Sequence, residues 1–327
     1  MQKSIISHKK RKELNFLTIT SALILTLLAI SPAATSVSNL ELSSSMEKGN
    51  VPDHISSETR EKEGNKEKSR IRNIRIFTAI PILCITIAEI FIFSGRIGVA
   101  VWVHIGTLIA LSLSNMFIKD SEVHKIHQAL MLLPVLRLIN LSMPVFFATT
   151  LYTFIFVYGP LAIPVAVIVI HQRHSLEQIG ISMKNIGAYM ILSVPLGFLL
   201  GFGEYMTIRS EYLIPDLTFW NLLKLTLIMV FFVGLVEEVI FRSILQTRLE
   251  EALSVPEALV ITSLLFGLMH SGYGTFHEIF YTGFVGFVMG LAFYKTRSLP
   301  FIAVLHGFVN VFLFGILPHY LSGWAGF

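Results

Sequence analysis

Val236-Glu237-Glu238-Val239-Ile240-Phe241-Arg242 sets two carboxylates and a guanidinium inside an apolar stretch, 221–250. A charge at mid-bilayer costs about 2.5–3.5 kcal/mol on insertion scales, so charges embedded this way are candidates for function. Glu238 and Arg242 stand one helical turn apart and can pair on one face. Glu237 is rotated about 100° from Glu238, which leaves it without a local partner. The bland alternative is an ion cluster at the cytoplasmic end of the helix.

Two more apolar stretches carry polar residues at helical spacing. Phe266-Gly267-Leu268-Met269-His270 puts a histidine one turn beyond a phenylalanine, and His306-Gly307-Phe308-Val309-Asn310 puts a histidine and an asparagine one turn apart. Singly, each histidine is explained by a hydrogen bond to a neighbouring helix. Depth links them. Glu237 and His270 are equidistant from the turn at Leu253-Ser254-Val255-Pro256, so an antiparallel hairpin brings them to one level. At 1.5 Å per residue they lie roughly 22–25 Å from that turn, and His306 lies roughly 13 Å from its own turn at Lys295–Ser298. The match is close for the pair and approximate for the third element.

A carboxylate, two histidines and an asparagine can do acid–base chemistry on an amide. A carboxylate with a histidine can hold and deprotonate water, while a protonated histidine and an amide NH₂ can donate to an oxyanion. The alternative chemistry is a metal site, since Glu and His also ligate zinc. No HExxH is present, because His277-Glu278-Ile279-Phe280-Tyr281 breaks that pattern at its last position, which argues against a zincin. No cofactor is expected.

The elements that must hold these residues are membrane helices. The chain has 327 residues, 54% hydrophobic and 14% charged, with a mean hydropathy of +0.70; soluble domains carry about a quarter charged residues. Residues 1–75 hold 13 Lys/Arg and 8 Asp/Glu, leaving 12 and 13 for the other 252 positions, too few to coat a water-soluble surface. The expected fold is all-α, a polytopic transmembrane helical bundle of about eight to nine spans, near 76–95, 98–117, 128–147, 149–170, 187–204, 221–250, 257–272, 278–294 and 299–317. The tract 129–170 is divided near Pro144.

Residues 1–34 have a basic start, an apolar run Phe16–Ile30 and small residues after it, the grammar of a signal peptide or signal anchor. Residues 35–75 are rich in Ser, Glu and Lys and read as a disordered linker. The organisation expected is accessory helices over 76–170, a catalytic core over 171–317 and a short tail, 318–327. Lys119, Lys125, Arg173, Lys184, Arg248, Lys295 and Arg297 fall on one set of alternating loops, against Arg96, Arg209 and Lys224 on the other. That bias puts the first set in the cytoplasm. If Phe16–Ile30 also spans with its basic start inside, span 76–95 runs the opposite way, a conflict the loop charges leave open. The net charge of +4 comes from bases beside the first apolar segments, a topology signal, and no nucleic-acid partner is expected. Cys84, the only cysteine, lies in an apolar run and reads as a buried hydrophobe.

The ordered set EExxxR (Glu237, Glu238, Arg242), FxxxH (Phe266, His270) and HxxxN (His306, Asn310) resembles the CPBP family of intramembrane metallo- or glutamic endopeptidases. That family includes the type II CAAX prenyl endopeptidases and the bacterial proteins once grouped as Abi. Gly283–Gly290 and Tyr294-Lys295-Thr296-Arg297-Ser298-Leu299-Pro300 are similar to a connecting segment of the family, with Arg297 where glycine is common. Leu176-Glu177-Gln178-Ile179-Gly180-Ile181 is similar to the loop that often precedes the core. The resemblance covers about residues 171–315.

The resemblance implies a glutamate-dependent peptidase. Glu237 would be the general base, working with His270 on the attacking water. His306 and Asn310 would stabilise the oxyanion, and Glu238 and Arg242 would orient the site. The implied partners are the lipid bilayer and a membrane-associated peptide or protein substrate, prenylated or not, met from the cytoplasmic face of the plasma membrane. Two other classes compete: a non-catalytic scaffold or immunity-type factor that kept the fold, and a transporter using the same buried ionisable groups. A transporter would bring internal repeats or broken helices at mid-membrane, and no convincing repeat is evident. His277, Glu278, Glu89 and Glu204 take no role and are explained as span-end or interfacial residues.

Overall fold

Helix-favouring apolar runs separated by short polar turns leave the backbone one way to satisfy its hydrogen bonds in a bilayer, by coiling on itself. A computed structural model describes residues 53–146, 150–173 and 175–321. Among them there is no strand, and nine helices are long and apolar enough to cross a membrane. They are α1 Asp53–Phe93, α2 Ile97–Phe117, α3 Ser121–Phe146, α4 Thr153–His171, α5 Ile186–Ile208, α6 Phe219–Ala252, α7 Val255–Leu268, α8 Phe276–Thr296 and α9 Leu299–Leu321. The tract 129–170 does break into two helices, α3 and α4.

The segment 1–34, the linker's first part, 35–52, and the end of the tail fall outside the described residues. The helix α1 begins at Asp53, so residues 53–75 are helical rather than a disordered linker. Their Glu, Lys and Arg side chains are good helix formers, and pairs such as Arg70–Glu67, 3.9 Å apart, lie at helical spacing. The chain divides into two compact units, residues 1–79 and 80–327, and every candidate site residue lies in the second.

Within that unit α9 packs against α5 and α6, and α7 against α8. These contacts are close because glycine faces backbone. A Cβ on Gly307 of α9 would stand 2.3 Å from Val230 Cγ2 and 2.8 Å from Val230 Cα on α6. A Cβ on Gly267 of α7 would stand 2.4 Å from the Ile279 carbonyl oxygen on α8. Lipid offers helices little hydrophobic incentive to associate, so close van der Waals packing at small residues carries the assembly. Gly307→Ala is therefore expected to cost about 1–3 kcal/mol by overpacking, read as a lower thermal midpoint in detergent. Gly106→Ala, at an exposed position with nothing within 4 Å, should not lower it.

The loop before α5 fastens three of these helices. Ser175 caps the one-turn helix Leu176–Ile179 by accepting from the Gln178 N–H. Gly180 then turns left-handed at φ 83°, where a Cβ would fall 2.5 Å from the Phe293 ring of α8. Ser243 of α6 donates to the Ile179 carbonyl at 2.6 Å, and the Leu299 N–H at the start of α9 donates to that of Gly180 at 2.7 Å.

Candidate active site

α6 is not a uniform helix. Met229–Gly234 and Val239–Gln246 are π-helical, and the α-helical turn Leu235–Glu238 between them carries the two glutamates. Wide turns of this kind shift the face a helix presents and recur at functional sites. The Thr247 hydroxyl donates to the Arg242 carbonyl at 3.1 Å, five residues back, across the second π stretch.

The glutamates diverge. Glu238 is fully buried; one oxygen accepts from Arg242 Nε at 2.8 Å and the other from His306 Nδ1 of α9 at 2.8 Å. The spacing argument for Glu238 and Arg242 thus corresponds to a real ion pair. Both Nη groups of Arg242 lack a hydrogen-bond partner among the described residues, and the guanidinium lies 5.2 Å from the Phe266 ring centroid. Glu237 faces the other way. It accepts from the Tyr158 hydroxyl of α4, so it has a partner after all, from a helix read only as an accessory span. Its second oxygen stands 3.9 Å from His306 Nε2.

Hydrogen bonding sets both histidine tautomers. A carboxylate only accepts, so His306 Nδ1 carries a proton and Nε2 is directed toward Glu237. His270 lies just past the end of α7, and its Nδ1 donates to the Phe266 carbonyl at 2.9 Å. The neutral His270 ring therefore holds its lone pair on Nε2. Phe266 packs between the two, its ring centroid 5.1 Å from that of His270 and 5.8 Å from that of His306.

Glu237, His270, His306 and Asn310 line one cavity of about 340 Å³, with Arg137, Tyr158, Glu204 and Tyr273 also on its wall. Glu238 and Arg242 lie behind it. Four polar side chains from α6, α7 and α9 thus face a common space in which an amide could meet a carboxylate, two imidazoles and a carboxamide. Among the described residues no three His, Cys, Asp or Glu side chains are grouped so as to hold a metal ion.

Of the residues given no role, only His277 is exposed at a helix start. Glu89, Glu204 and Glu278 are buried rather than interfacial. Glu89 forms a two-pronged ion pair with Arg137 of α3, Nε–Oε1 at 2.9 Å and Nη2–Oε2 at 2.7 Å. Neither Glu278 oxygen has a hydrogen-bond partner among the described residues. Arg137 and Tyr158 escaped the sequence reading altogether. Arg137 was findable, since it is the lone charge of an apolar span and Glu89 is the lone charge of another. Tyr158 was not, because a tyrosine in an apolar helix is unremarkable until its hydroxyl meets a partner.

The comparisons fall on the same helices. Residues 219–312, from the start of α6 into α9, match the family described as Rce1-like, type II CAAX prenyl endopeptidase Rce1-like. No curated protein and no solved structure matches the chain. The matched stretch contains all three polar motifs and leaves α1–α5 outside it. The chain is thus a multi-span helical protein whose residues 219–312 are similar to the CAAX-protease-like family.

Proposed function

We propose that the chain is an intramembrane endopeptidase that hydrolyses a peptide bond of a membrane-associated substrate with water activated by Glu237. The supporting observation is the shared cavity wall of Glu237, His270, His306 and Asn310. A water held between the Glu237 carboxylate and His270 Nε2 gives its proton to Glu237 as its oxygen attacks the amide carbon. His306 donates to the resulting oxyanion from Nε2 while its Nδ1 is held by the Glu238 carboxylate. Asn310 supplies a second donor through its carboxamide. When the C–N bond breaks, the proton on Glu237 passes to the leaving nitrogen, and the carboxylate is restored. On this reading the cavity is met from the cytoplasm, which the bias of the loop charges supports.

Tyr158 holds the Glu237 carboxylate in place. Tyr158→Phe removes one donor and little volume, and its kcat is expected to fall about tenfold, the value of a hydrogen bond near 1.5 kcal/mol. Steady-state kinetics on a cleaved peptide would measure it, and an unchanged kcat would remove Tyr158 from the site.

The reading is tested with the full chain purified in detergent and a panel of fluorogenic peptides, farnesylated and plain. Wild type, Glu237→Ala and His270→Ala are compared with and without chelator. Cleavage lost in both variants and indifferent to chelator supports the glutamate mechanism, and the preferred peptide defines the substrate class. Loss with chelator moves the site to metal chemistry. No cleavage of any peptide favours the non-catalytic scaffold.

A further inference from the structure

We propose that the Glu89–Arg137 ion pair, contributed by α1 and α3, is a positioning element that fixes His270 in the cavity. The inference rests on the catalytic reading of His270 above. The α-helical part of α7 ends at Leu268, and His270 has φ −99° and ψ 9° as the chain enters a 3₁₀ turn over Ser271–Tyr273. The His270 N–H and ring still bond back to Gly267 and Phe266, but the last carbonyls of a helix lack intrahelical partners and depend on groups from other elements.

The surroundings supply one device on both sides of His270. Arg137 Nη2 donates to the Met269 carbonyl, on the residue before it. The Ser271 hydroxyl, on the residue after it, donates to Glu89 Oε2 at 2.5 Å. The two grips are rigidly joined, because the guanidinium and carboxylate engage as a planar fork. His104 Nε2 stands 3.3 Å from Glu89 Oε1, and Glu89 and His104 are fully buried.

A purely structural role explains this arrangement poorly. A buried ion pair in an apolar setting gains little over well-packed hydrophobic residues of similar volume. Holding a helix terminus by two groups at once is something an apolar pair cannot do. Rotation of the 269–271 backbone would swing His270 Nε2 away from Glu237, and about 1 Å of misplacement can cost about a hundredfold in rate. Helices outside the family-matched stretch thereby set the geometry of a residue inside it.

The test replaces both partners together, Glu89→Met with Arg137→Met, so that neither charge is left unpaired. Ser271→Ala serves as a milder variant that removes one grip. Two readouts are taken on the full chain in detergent. Cleavage of the best peptide is expected to lose roughly a hundredfold in kcat with KM within a factor of two, and Ser271→Ala to lose less. The ring ¹⁵N signals of His270, assigned by their loss in His270→Gln, are expected to change from one Nδ1–H tautomer to a mixed or broadened set. That signal reports on position whether or not the protein is a peptidase, so failure of the catalytic reading leaves it standing. An unchanged His270 spectrum in a folded double variant would overturn the proposal, as would a loss confined to KM. Should the double variant fail to fold, an unchanged spectrum and kcat in Ser271→Ala would overturn it equally.

Discussion

Glu237→Gln is expected to lower kcat/KM by about 10²–10⁴-fold, the range for loss of a general base, while leaving the fold intact. Glutamine matches glutamate in size and can still accept from Tyr158, but it cannot take a proton from water. The side chain sits on the cavity wall, its hydrogen bond is to Tyr158, and His306 Nε2 is 3.9 Å away, so no packed ion pair is broken. Helical content and thermal midpoint should therefore match wild type in the preparation used for kinetics. A comparable loss in both activity and midpoint would mean that Glu237 is structural.

The second large effect runs the other way, on stability. Glu238→Ala should destabilise the protein by about 3–5 kcal/mol, the cost of leaving a buried charge without its partner. Glu238 is the hydrogen-bond acceptor for Arg242 Nε and for His306 Nδ1, and Glu238 and Arg242 are both fully buried. Its loss leaves the guanidinium beside the Phe241 and Phe266 rings with no hydrogen-bond acceptor among the described residues. The measurement is thermal unfolding and yield of folded protein in detergent. Glu238→Leu combined with Arg242→Met removes both charges and should recover most of the stability. It should not recover cleavage, because His306 Nδ1 would still lack its carboxylate. Recovery of cleavage by that pair would show that His306 works without Glu238.

The contrast between these glutamates was partly legible in the sequence. Four-residue spacing gave the Glu238–Arg242 pair, which needs only helix geometry and is present at 2.8 Å. The hairpin argument put Glu237 and His270 at one level, and both reach the same cavity. An expectation of about eight to nine spans followed from hydropathy, because the bilayer forces helices and sets their length, and nine such helices are present among the described residues.

Other features depend on which helix faces which, and no local pattern encodes that. Tyr158 is a partner of Glu237 only because α4 packs beside α6. The π turns of α6 alter the rotation assumed for Glu237, and nothing in the residues 229–246 announces them. Glu89 and Arg137 were each visible as a lone charge in an apolar span, yet their pairing across 48 positions was not. Residues 53–75 looked like a linker because their composition is polar, whereas the same Glu, Lys and Arg are also strong helix formers.

The most direct measurement is a single-turnover cleavage in ¹⁸O-labelled water, with enzyme in excess over the preferred peptide, for wild type and Glu237→Gln in the presence of chelator. Wild type is expected to place one ¹⁸O in the new carboxylate, and the variant to form no labelled product on that timescale. Labelled product from Glu237→Gln at the wild-type rate would contradict activation of the water by Glu237.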